Sequence, residues 1–481
     1  MTELDARQGT VGAPRFLASA HGLFAIIATV LVGAFVFLIP VGWGLDEQSH
    51  VNRAYQIGQG NLLPDLREDG QTYGGYTPAA LQDYQMLGHG WSSSVDRGQG
   101  FENRQDFQDQ EVYDDYASKT LDRSRVVSVD FTNAGASSPL VYLPAAAGFA
   151  LSQAVDASAG AASIVARLLN AAVYVALVWA ALFALRRFRM QWAVFVIALV
   201  PGALFQAGYV SADTMTNAAS ILFISLLLRA FLDPLWLTSK RSLTALALSA
   251  LALTAMKPTV AALALAVLAL PVAGFASRRA KWWFSGGLAV AIVAFTGFFG
   301  LLTRDIGSAI RFQRADADQI DSAHQIAHVL SNPIEGVAVV ARTVAVSGGS
   351  WMEGIAGLFG YNVVAMGSIV LMVFTIAVTV TSLGGERLKR WPAVVVLAAG
   401  VLLSVLSVAA LYVTFTPVGA PRADGVQGRY FIPAILPIAI GIASLVPFRL
   451  HATDRALRVG SCIVAGGLGV VSILVWVLYL H

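Results

Sequence analysis

The chain has 481 residues, of which 56% are hydrophobic and only 13% charged, and its formal net charge is +3. Mean hydropathy is +0.66. A soluble globular protein carries about 25% charged residues, so the composition excludes an ordinary soluble fold. The small net charge gives no footprint for nucleic acid, and a single cysteine, Cys462, excludes a disulfide within one chain.

Residues 1–18 are polar, with Arg7 and Arg15, and read as a cytoplasmic tail. The apolar stretch from Leu23 to Val41 is longer than a signal-peptide core, and no small-x-small cleavage site follows it. It reads as a signal anchor and first membrane helix. Crossing roughly 30 Å of hydrocarbon takes about 20 apolar residues. On that basis the pattern predicts eleven spans, at roughly 19–41, 163–185, 190–210, 215–236, 242–256, 258–275, 281–302, 363–384, 391–415, 430–448 and 456–480. The fold class is an all-α polytopic membrane protein.

Basic residues set the expected orientation. RRFR (186–189), SKR (239–241), SRRAK (277–281), ERLKR (386–390) and RLHATDRALR (449–458) all fall on the side of the N-terminus. The positive-inside rule makes that side cytoplasmic. The segments 42–160, 303–362 and 416–429 and the C-terminal His481 are then extracytoplasmic. The expected location is the inner (plasma) membrane. The layout divides into the 1–18 tail, a membrane module over 19–450, and a connector with the last helix over 451–481.

Residues 242–275 are almost continuously apolar but are interrupted by Lys257-Pro258. A straight helix of that length would run about 50 Å, so a hairpin of two short helices is expected, turning on the exterior side. The first exterior segment carries Asp46, Glu47, Asp65, Glu68, Asp69 and Asp83, with turn chemistry at Tyr73-Gly74-Gly75-Tyr76 and a polar stretch over 96–125. SSPLVYLPAAAGFAL (137–151) reads as an interfacial helix. The 303–362 segment reads either as a simple interfacial helix pair or as a cover over a lipid groove, with Gly348-Gly349 as its hinge.

The chain has no GxGxxG after a strand, no P-loop, no HExxH and no CxxC. Its chemistry must lie in polar groups at the exterior helix ends. The densest run is GWGLDEQSHVNRAYQIGQGNLLP (42–64), with Asp46, Glu47, His50, Arg53 and Tyr55. GYVSADTMTN (208–217) adds Asp213 and Asn217, the hairpin turn adds Lys257, and GVQGRYFIPAILP (425–437) adds Arg429 and Tyr430. Each has a plain explanation: Asp46 as one helix cap and Ser211 or Asp213 as another, Lys257 snorkelling, Arg429 and Tyr430 as interface anchors. Their convergence on one leaflet is harder to explain by capping.

The acidic pair after the first helix, PLVYLP, VARLLNAAVY (165–174), SADTMTN (211–217), MKPT (256–259), HQIAHVLSNPIEGVAVVARTV (324–344) and QGRYFIPAILP (427–437) resemble a bacterial family of multi-pass membrane proteins of unknown function. That family is similar in layout to the GT-C superfamily of lipid-carrier-dependent glycosyltransferases. The resemblance implies a GT-C-like fold with a large first extracytoplasmic loop. It also implies transfer of a sugar from a polyprenyl-phosphate carrier to an extracytoplasmic acceptor such as an envelope glycan. Asp46 would be the base and Glu47 its support. His50, Arg53, Tyr55, Asp213, Asn217, Lys257, Arg429 and Tyr430 would bind substrate, with Lys257 and Arg429 on the phosphate across from Asp46. Some such enzymes use Mg²⁺ or Mn²⁺, which only Asp46, Glu47 and Asp213 could serve. The relatives' HPPL-like or KPPL-like element reads SSPL (137–140) here, without its first proline or basic residue. A transporter or lipid-linked-sugar flippase, or a non-catalytic assembly component, is the alternative class.

Overall fold

Helices dominate wherever the apolar runs are unbroken, and prolines mark where the runs fail. The computed structural model describes residues 18–96 and 110–480. The tail assigned to 1–18 falls almost wholly outside these residues, as do His481 and part of the 96–125 stretch.

Among the described residues seven helices are long and apolar enough to cross a bilayer: Ala20–Leu38, Ala159–Ala184, Ala212–Leu232, Arg278–Leu302, Arg390–Phe415, Gly428–Leu445 and Asp454–Leu480. Ser322–Ser331 and Pro333–Gly357, bent by 109° at their junction, would make an eighth if the pair were one span. The expected eleven full-length membrane helices are therefore corrected to seven or eight. Four of the expected spans are shorter or broken. The run over 190–210 splits into Gln191–Ala198 and Pro201–Ala207, because Pro201 cannot continue a helix from Leu199 and Val200. Both pieces are buried inside the protein, where neighbouring helices rather than lipid surround the broken backbone. Residues 240–254 form one helix of 15 residues and 258–274 a series of short turns around Pro258 and Pro271. The fourth, Gly367–Leu383, has 17 residues.

The 240–274 run folds back on itself. A Cβ on Gly274 would lie 2.7 Å from both Leu237 Cβ and Pro234 O, so its two ends meet and Lys257 sits at the far turn. The Ala212–Leu232 helix is the central post. It is mostly buried, including Thr214, Thr216, Asn217, Ser220 and Ser225, which marks a polar seam inside the bundle.

Connections at one end are tied by basic residues. Arg189 pairs with Asp454, and Arg449 donates to Gly385 O at 2.8 Å. The backbone amides of Arg189 and Met190 donate to Glu386. At the other end, Asp65–Leu66, Tyr73–Pro78 and Val126–Asp130 form a three-stranded antiparallel sheet, in which Gly74 opposes Asp130. The turn expected at Tyr73–Tyr76 is a strand instead. Its glycines permit close strand approach, since a Cβ on Gly74 would lie 1.8 Å from Val129 O. The reversal falls at Gly70, which has φ +65°. Leu143–Ala154 is a helix of 12 residues, about 18 Å long and too short to cross. Gly348 and Gly349 lie inside the continuous Pro333–Gly357 helix, so the sharp bend is at Asn332-Pro333 and not at the expected hinge.

Candidate functional site

The site starts from the loop that leaves the first helix. The Glu47 carboxylate accepts from the backbone N–H of Gly42 at 3.0 Å and of Gly44 at 3.1 Å, and takes both Nε and Nη2 of Arg167. Arg167 also donates to the carbonyls of Val36, Ile39 and Pro40, which end the first helix. Both side chains are fully buried, at 0% and 1% exposure. Glu47 is thus occupied in holding the loop.

The neighbouring residue is held differently. Asp46 takes a left-handed conformation, φ 57° and ψ 18°, and makes no capping hydrogen bond to the Glu47–Gly58 helix. Aspartate tolerates that region better than most residues. The capping explanation fails for Asp46: its carboxylate faces Arg429, whose Nη2 is 2.8 Å from Oδ2. The Tyr361 hydroxyl lies 3.4 Å from Oδ1. For the Ala212–Leu232 helix the cap is Ser211, which accepts from the Asp213 N–H at 3.1 Å. Asp213 is free to bind Lys257 and to approach Arg429 Nε at 3.4 Å.

The groups form one alternating row: Tyr361, Asp46, Arg429, Asp213, Lys257. Arg429 and Asp213 separate Asp46 from Lys257 in this row. Arg429 stands between the two acids and touches Asp46, where the sequence reading put it across from the base. Arg429 and Lys257 each lie near the Tyr430 ring, at 5.3 and 5.1 Å from its centroid. Asn217 borders the same cavity as Lys257 and donates to Gln206 at 2.9 Å.

His50 donates or accepts at Nδ1 with the Tyr142 hydroxyl, 2.7 Å away. Arg53 and Tyr55 turn elsewhere. Arg53 donates to Gln56 and to Leu62 O, and the Tyr55 hydroxyl accepts from Gln153. These two brace the first loop and make no contact with the acid–base row. Tyr361 and Arg167 are additions that the sequence reading did not single out. Tyr361 is carried on a tight hairpin, Leu358–Phe359 against Val364–Ala365, with Gly360 and Asn362 at positive φ.

Burial would push the Asp46 carboxyl up, but Arg429 and His50 outweigh it and hold the pKa below the usual carboxylate value. Burial pulls the His50 imidazole down to about 4 despite the opposing pull of Asp46. His50 is therefore neutral in the folded protein while an unfolded histidine, near 6.5, is already taking up a proton. The unfolded state binds more protons in that window, so stability falls as pH drops from 6.5 towards about 4. Thermal unfolding of purified protein across that range should show this slope, and His50→Gln should flatten it. An unchanged slope in the variant would remove His50 as its cause.

A divalent metal fits this arrangement poorly. Among the described residues no three His, Cys, Asp or Glu side chains gather as a ligand set. Asp46 and Asp213 each already face a cation, and Glu47 is taken by Arg167.

The family model described as "Predicted membrane protein (DUF2142)" matches residues 29–439. No curated protein and no solved structure matches the chain. The chain belongs to the DUF2142 family of membrane proteins.

Proposed function

We propose that this DUF2142 protein is an inverting glycosyltransferase that moves a sugar from a polyprenyl-phosphate carrier to an acceptor outside the cytoplasm. The observation that carries the reading is the placing of a charged row beside an apolar cavity. The cavity measures about 600 Å³ and is lined by Trp351, Met352, Phe374, Val405, Phe431 and Ile438 among others. The Gly428–Leu445 segment joins the two environments, with Arg429 in the row and Phe431, Ala434 and Ile438 on the cavity. An amphiphile with a phosphate head and a hydrocarbon chain matches both.

In this reaction the acceptor oxygen forms a bond to the anomeric carbon as the carbon–phosphate oxygen bond breaks. The acceptor proton passes to Asp46, and the carrier phosphate leaves with the electron pair. A phosphate leaves as a stable anion, so it needs neutralisation by Lys257 and Arg429 rather than a second carboxylic acid. The row is balanced, two acids against two bases. An arriving phosphate must therefore compete with a carboxylate for Arg429. Winning Arg429 from Asp46 would free that carboxylate and raise its basicity, so the base would become active only when the donor is bound.

Binding of a polyprenyl phosphate to detergent-solubilised protein tests the proposal. Lys257→Ala removes a charged partner worth about 1.5–3 kcal/mol, so affinity should fall roughly 10- to 100-fold. Wild-type protein that binds the phosphate no better than the corresponding polyprenol would sink the reading.

The accompanying orientation has 42–160 and 303–362 outside and the plasma membrane as location. It is supported by the gathering of the 186–190, 385–387 and 449–454 segments at the end away from the charged row. In a Cys462→Ser background, Asp69→Cys and Asn332→Cys should react with an impermeant maleimide in intact cells and Lys240→Cys should not. The reverse pattern would invert the orientation.

A further inference from the structure

Arg429 borders two cavities. The first, about 130 Å³, is the one beside Lys257 and Asp213. The second, about 250 Å³, is lined by Gln206, Tyr209, Trp351, Asn362 and Gln427 among others, and Arg429 is the only described residue common to both linings. Among the described residues no carboxylate or lysine lines the second chamber. Two of its lining groups are left incomplete: Arg429 Nη1 and Gln427 Oε1 are buried and find no hydrogen-bond partner among the described residues. Buried polar groups are nearly always satisfied, and an exception calls for an explanation. Here one orphan donates and the other accepts.

The chamber wall is tightly packed. A Cβ on Gly428 would lie 2.1 Å from Trp351 O, and one on Gly202 would lie 2.6 Å from Ile355 O, so backbone packs directly on backbone. Phe205, Tyr209 and Trp351 add flat apolar faces. A pocket with aromatic faces and a few placed polar groups recognises shape and hydrogen bonding together. A single cation with no anion nearby in the lining does not select a second phosphate, since Arg429 already faces two carboxylates. An uncharged polyhydroxylated ring offers what remains: C–H faces for the aromatics, and hydroxyls that both donate to Gln427 and accept from Arg429.

We propose that this chamber binds a sugar ring, separately from the phosphate held beside Lys257. The inference rests on the transferase reading, which supplies two sources of such a ring, the donor's sugar and the acceptor's. The test uses purified full-length protein and Gln427→Leu, which removes the orphan acceptor with little change in volume. The donor arm compares a polyprenyl phosphohexose with the bare polyprenyl phosphate. The acceptor arm titrates methyl glycosides of common hexoses. In one of the two arms the variant should lose about tenfold in affinity for the sugar-bearing probe. Its affinity for bare polyprenyl phosphate should stay within about twofold, which also shows that the variant is folded. Loss in the first arm assigns the donor's sugar, and loss in the second the acceptor's. If neither arm responds, or if bare polyprenyl phosphate is lost equally, the chamber is not a sugar site. Wild-type protein that binds glycosides through Gln427 but binds no polyprenyl phosphate would instead overturn the transferase reading and leave the chamber standing.

Discussion

Asp46→Asn should abolish sugar transfer while leaving the amount of protein in the membrane unchanged. Asparagine keeps the shape of the side chain and shares aspartate's tolerance of the left-handed backbone at this position. It can still accept a hydrogen bond from Arg429. What it loses is the capacity to take a proton. A sugar hydroxyl is far too weak an acid to be ionised beforehand, so the base must act as the hydroxyl attacks. General-base assistance of that kind is worth about 10²–10⁴-fold, and that is the expected drop in turnover. Asp213→Asn should behave otherwise. Asp213 orients Lys257 and approaches Arg429, so its loss should alter affinity for the carrier more than turnover with carrier bound. Transfer by purified Asp46→Asn protein at the wild-type rate would rule out this mechanism.

The four charges of the row were legible because each interrupts an apolar pattern at a helix end: Asp46 after the first apolar run, Asp213 at the head of the 212–232 helix, Lys257 inside the 242–275 run, Arg429 before the apolar 431–446 stretch. Asp46 and Arg429 are separated by 383 positions, so only a shared leaflet linked them. Their contact could not be read, because spacing along the chain says nothing of which helix ends adjoin. Tyr361 had a signal that went unused. LFGYNVVA places β-formers on both sides of Gly360 and Asn362, residues that tolerate positive φ, and this is hairpin chemistry. The span count failed for a different reason. Hydropathy registers apolar residues but not whether the helix through them is continuous, so the buried 191–207 stretch, which runs from the Arg189 end to the Asp213 end in two pieces broken before Pro201, was read as one helix.

Glu47 is the clearest case of a residue whose partner decides its role. From the sequence it was an acid beside an acid. Its partner Arg167, 120 positions away, sits in the apolar run of the 159–184 helix, and an arginine in such a run is itself a signal of a buried counter-charge. Breaking a buried ion pair by removing one member costs about 3–5 kcal/mol, because the other charge stays buried and uncompensated. The two halves should not cost the same. Arg167→Met also deprives the carbonyls of Val36, Ile39 and Pro40 of their donor. Glu47→Gln keeps an oxygen for the N–H groups of Gly42 and Gly44. Arg167→Met should therefore lower the unfolding temperature and the yield most, Glu47→Gln less, and the double variant by less than the sum of the two. Activity should fall with stability in each, since the loop between these residues is what presents Asp46. Glu47→Gln protein with wild-type stability and no transfer would return Glu47 to the chemistry, because a lost structural pair cannot remove activity without also loosening the loop.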